Sequence, residues 1–185
     1  MRITPVVLLM LGAPLAAAVP VAGKGAAQRC HQAADAGKAD PAALRQCDKA
    51  LKDMALSAPE RAAMLVDRGI LNARLQRLGE ALADHEAAIA AWPDSADAYV
   101  NKGLVLVELG NRDAEAVAAL SKGLALGPER PAVALFVRAQ AYESLGQLRR
   151  AYEDYARAAA IEPDWPAPAA ELQRFKVVKA KTLQA

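Results

Sequence analysis

The side chains able to carry chemistry are few. Cys30, His31, Cys47 and His85 are the only cysteines and histidines in the 185 residues. As a set of metal ligands they match none of the paired spacings that zinc sites use, so no metal site is expected from them. The chain has no Cys-x-x-Cys pair and hence no sign of a redox couple. It also lacks a glycine-rich phosphate loop, a G-x-S-x-G elbow and an H-E-x-x-H pair. Asp84 and Asp154 each follow an arginine, Arg68 and Arg138, at one recurring interval, which is the mark of a repeated structural pair and not of an acid and a base. These residues predict a protein that is not an enzyme and takes no cofactor.

The elements that must position them come next. The chain is 54% hydrophobic but only 4% aromatic, and alanine supplies much of the apolar content, which predicts helices packed closely through small residues. Lys plus Arg number 23 against 21 for Asp plus Glu, too even a balance to attract nucleic acid over the whole surface. Residues 1–22 carry an early Arg2, an apolar stretch from Val6 to Leu11 and small residues after Pro14, the layout of a secretory signal peptide cut somewhere within 18–27. Pro14 and Pro20 interrupt this stretch, and its apolar part falls short of the ~20 residues that a span needs. No stable membrane span is therefore expected once the leader is removed. In an exported chain, two cysteines favour a disulfide.

Beyond the leader the sequence repeats itself. Gly69, Gly103 and Ala139 align as one small position, and Gln76, Gly110 and Gly146 follow as a turn. A second helix then opens on Ala81, Ala116 and Ala151, carries His85, Leu120 and Tyr155 in its middle, returns to a small residue at Ala88, Gly123 and Ala158, and stops at Pro93, Pro128 and Pro163. This pattern resembles the tetratricopeptide repeat, a helix-turn-helix unit of ~34 residues. The resemblance covers Ala62 to Trp165, with one residue inserted between Gly110 and Ala116, another near Pro131, and basic residues at Arg68, Lys102 and Arg138 where the family often has Leu.

The resemblance implies an all-α solenoid of helical hairpins: three clear units over 62–165, a degenerate hairpin over 24–57, and a capping helix with a basic tail over 166–185. Leu172, Phe175 and Val178 would line one side of that cap, and Arg174, Lys176, Lys179 and Lys181 the solvated side. Laid on the same template, Cys30 falls at the position of Arg68 and Cys47 at that of His85, on facing helices of the first hairpin, which makes the disulfide a specific staple. Arg68 with Asp84, and Arg138 with Asp154, would pair across their hairpins in the same way.

In the family the first helices of stacked units line a concave surface. Here that surface would present Val66, Asp67, Ile70 and Arg74 from the first unit, and Val100, Asn101, Leu104 and Glu108 from the second. Phe136, Val137, Gln140 and Glu143 would complete it from the third. Some members hold chaperone tails there through a carboxylate clamp. Asn101 matches one clamp position, but Val66, Ile70, Val133 and Val137 stand where polar or basic residues belong, so that ligand class is not expected. The resemblance implies an exported scaffold that binds a protein or peptide along an apolar groove. The alternative is a structural or assembly protein of the cell envelope acting through its convex face and basic tail. The alanine-rich style and the leader are similar to envelope repeat proteins of Gram-negative bacteria, which implies the periplasm.

Overall fold

The computed structural model describes residues 25–53 and 55–175. The expected leader and the basic tail beyond Phe175 lie outside the described residues. Among these, nine helices follow one another: α1 (Ala26–Asp35), α2 (Pro41–Asp53), α3 (Ala58–Arg74), α4 (Leu78–Ala91), α5 (Ala96–Leu109), α6 (Asp113–Leu126), α7 (Pro131–Ser144), α8 (Leu148–Ile161) and α9 (Pro166–Leu172). Consecutive helices pack as antiparallel hairpins, and α3, α5 and α7, the first helices of the three repeat units, also touch in that order. The described chain is thus an all-α solenoid with α1 and α2 stacked at one end and α9 at the other.

Local chemistry sets the ends of the helices. The Asp40 carboxylate accepts the backbone N–H of Ala43 at 2.7 Å, with Pro41 in the first turn of α2, and the Ser95 hydroxyl accepts that of Ala98 at the start of α5. Helix α3 ends in a Schellman turn: Gln76 N–H donates to the Ala73 carbonyl and Arg77 N–H to that of Asn72, both at 2.9 Å. Helix α7 ends identically, through Gly146 to Glu143 and Gln147 to Tyr142. Such a turn requires a left-handed residue, which Gly146 supplies at φ 71° and Gln76, without glycine's freedom, at φ 60°.

Small residues let the two helices of a hairpin approach. A methyl group on Gly69 would stand 2.4 Å from the His85 ring, and one on Gly103 would stand 2.4 Å from Leu120. The second helices contribute Ala81, Ala88, Ala116, Ala151 and Ala158, all fully buried. In the first hairpin Cys30 and Cys47 are bonded with their Cα atoms 4.9 Å apart, and both residues are fully buried. The disulfide therefore occupies the place where the next units put an ion pair and a packed side chain.

Candidate functional site

Two of those ion pairs are as the template implied. Arg68 grips Asp84 through Nε and Nη2, the latter at 2.6 Å from Oδ1, while Asn72 Nδ2 donates to Oδ2 at 3.0 Å. Arg138 grips Asp154 through Nε at 2.7 Å and Nη2 at 2.9 Å. Both carboxylates are nearly buried, with side chains 7% and 5% exposed, so they are more deeply held than ordinary surface pairs.

The same basic residues also reach backwards. Arg68 Nη1 donates to Asp48 of α2 at 2.7 Å, Lys102 Nζ to Glu86 of α4 at 2.8 Å, and Arg138 Nη1 to Ser121 of α6 at 3.0 Å. Each acceptor directly follows the residue at the middle of the preceding second helix: Cys47, His85 and Leu120. The residues that depart from the family's Leu thus form a ladder from unit to unit. Sequence alone offers little sign of it, because its acceptors differ in type and meet the cations only once the units stack.

The residues expected to line the concave face occupy one continuous row of helices, but most are not at the surface. Val66, Ile70, Val100, Leu104, Phe136 and Val137 are each at most 8% exposed, and Asp67, Asn101 and Gln140 at most 9%. Only Arg74 and Glu108 of the expected groove set, together with Glu143, keep intermediate exposure. The causes differ along the row. Asp67 is wholly buried against α1, where His31 Nδ1 lies 3.2 Å from its Oδ2. Burial raises the Asp67 pKa, and the hydrogen bond to Asp67 raises that of His31. Val100 packs towards Gly123 of α6. The Phe136 ring is held between Tyr155 and Trp165, with centroid distances of 5.4 and 4.9 Å. Asn101 turns its amide back onto the Asp97 carbonyl at 2.8 Å.

Two further ionisable groups, His85 and Tyr155, are held by packing. His85 is buried against Gly69, its Nδ1 has no hydrogen-bond partner, and burial pushes its pKa down to about 3. Tyr155, raised well above its usual pKa by burial and by neighbouring Glu143, donates its hydroxyl to that carboxylate at 3.3 Å. Among the described residues no group of His, Cys, Asp and Glu is placed to hold a metal ion, and no helix is long and apolar enough to cross a membrane.

Comparison with known proteins agrees with this architecture. Residues 132–164, which are α7, α8 and their flanking turns, match the family model described as tetratricopeptide repeat. No curated protein matches the sequence. The crystal structure of MamA superposes with a TM-score of 0.64 at 22% identity, covering 77% of this chain and 80% of that one. The first tetratricopeptide domain of Spaghetti (RPAP3), bound to the HSP90 peptide SRMEEVD, superposes at 0.58 with 23% identity, covering 62% of this chain and 92% of that one. The same domain of human RPAP3 gives 0.59 at 23% identity, covering 63% and 90%. The chain therefore has an all-α solenoid fold of the tetratricopeptide-repeat kind, and its third hairpin matches the repeat's own sequence model.

Proposed function

We propose that the chain is an exported scaffold that binds a protein or peptide segment along the row formed by α3, α5 and α7. The observation that carries this reading is the continuity of the row: three first helices touch in sequence, and each offers a partner the same register of positions. A repeat scaffold uses such a surface to hold an extended or helical segment over several units. A similar fold in RPAP3 is bound to an HSP90 peptide, which supports a protein partner for this one.

The burial of the apolar residues decides where recognition falls. Val66, Val100 and Phe136 form the wall of the row, and a partner meets Arg74, Glu108 and Glu143 at its edge. Specificity on this surface is therefore polar. The acidic tail SRMEEVD is a poor model for its ligand, because Val66, Ile70, Val133 and Val137 stand where the clamp pattern has polar or basic residues. The Cys30–Cys47 disulfide supports export, since such bonds persist in oxidising compartments. The periplasm is the compartment that fits both the disulfide and the leader.

The test is affinity capture from the native envelope fraction with the mature protein and an Arg74→Glu, Glu108→Arg double variant. Both side chains keep intermediate exposure, although Arg74 also rests on Gly37, so Glu108→Arg alone is the control that leaves the first hairpin untouched; Leu104 and Phe136 are buried. Loss of a specific partner with helicity unchanged is the expected result. Capture that survives the double variant would remove the row from consideration and turn attention to the convex face.

A further inference from the structure

The repeat register shows which face of the stack is left open. In the first unit, Leu78 and Leu82 of α4 are partly buried and pack with Val105 of α5, in the following unit. Leu148 and Tyr152 stand at the same positions of the third unit, and Leu145 at the position of Leu75. The chain after α8 keeps this register for a short distance: Phe175 falls at the position of Val105, and its ring lies 5.8 Å from Tyr152 and 6.0 Å from Tyr155. Helix α9 ends at Leu172, however, and among the described residues the cover is incomplete. Leu145 is 40% exposed, Leu148 55% and Tyr152 39%, a cluster of large apolar side chains at one end of the solenoid.

The charges beside this cluster are self-complementary. Arg149 and Glu153 lie one helical turn apart along the same edge of α8, bonded at 3.1 Å, with side chains 93% and 55% exposed. If a second α8 crosses antiparallel over the Leu148 and Tyr152 stripe, each Leu148 faces the Tyr152 of the other copy, and each Arg149 faces the other's Glu153. A patch that pairs with itself under a two-fold axis in this way is what an isologous contact needs. We propose that the chain forms a homodimer through this end of α8, with the second copy completing the cover that a following repeat unit gives Leu78 and Leu82.

Sedimentation equilibrium of the mature chain, from micromolar to sub-millimolar concentration, tests this directly. The expected result is a reversible dimer that Leu148→Glu weakens by at least about tenfold, since the symmetry removes one apolar anchor from each copy. Leu145→Glu provides an independent second disruption. Arg149→Glu alone weakens the dimer by placing like charges opposite each other. Adding Glu153→Arg to the same chain restores it, because the patch is again its own complement. A chain monomeric throughout the range, or a dimer indifferent to both leucine variants, would overturn the proposal. So would a monomer that dimerises only after removal of residues 176–185, since the patch would then belong to the chain's own tail.

Discussion

Acid should destabilise this fold through one residue. His85 is buried against Gly69 with burial alone holding its pKa near 3, while an unfolded histidine titrates at about 6.5. A folded pKa below the unfolded one means that the unfolded chain takes up the proton first. The contribution is therefore complete above pH 6.5 and is lost as pH falls towards 3. Each pH unit in that window removes about 1.4 kcal/mol, so on the order of 3 kcal/mol is gone by pH 4.5. His85→Leu removes this term and places in the first unit the side chain that Leu120 already supplies against Gly103 in the second, where an added methyl group would likewise stand only 2.4 Å away. The substitution also deletes the unpartnered Nδ1, and should stabilise the protein at pH 7.5 by about 1 kcal/mol. The assay is urea unfolding followed by circular dichroism for both proteins between pH 4.5 and 7.5. The difference between them should widen steadily on acidification. His31 titrates in both proteins and so drops out of the comparison. A difference that stays constant across the range would refute the burial argument.

Three further perturbations have outcomes set by the geometry. Asp154→Ala leaves the Arg138 guanidinium, only 14% exposed, without its main partner and should cost about 3 kcal/mol in chemical unfolding, well above the worth of a surface pair. Gln76→Gly should raise stability by about 1 kcal/mol, because the left-handed turn at φ 60° then matches the glycine that closes α7; no gain in the urea midpoint would show that the turn carries no strain. Reducing Cys30–Cys47, or replacing both residues by Ser, should cost about 3 kcal/mol, with hydrogen exchange accelerating first in α1 and α2; equal acceleration in α7 and α8 would mean that the staple acts globally.

His31 moves in the direction opposite to His85. Its hydrogen bond to buried Asp67 raises its pKa, so the tie between α1 and α3 is complete below the ordinary histidine range and is lost as pH rises through the raised value. Protection factors, taken relative to the base-catalysed intrinsic exchange rate, should therefore fall in α1 on alkalinisation and in α4 in acid.

The hairpins were legible in the sequence because each carries its own signals: a small residue at Gly69, Gly103 or Ala139, a turn at Gln76, Gly110 or Gly146, and a proline stop. The pairing of Arg68 with Asp84 and of Arg138 with Asp154 followed, since both partners lie within one unit. What the pattern could not show were contacts between units. The reach of Arg68 to Asp48 depends on the offset of stacked hairpins, and the closure of Phe136 depends on Trp165, which lies beyond the third unit. The concave residues looked available because the template assigns them a face. How much of each side chain remains open depends on the small residues behind it, as Val100 against Gly123 shows, and on the hairpin that α1 lays over Asp67.

The central claim, that α3, α5 and α7 form the working surface, is most directly tested by site-specific photo-crosslinking in the cells that make the protein. A photoreactive residue at Glu108, on the edge of that row, should join the chain to one defined partner, and the same residue at exposed Ala118 on the second helix α6 should not. A partner that crosslinks through Ala118 and not through Glu108 would contradict the claim and place recognition on the second helices.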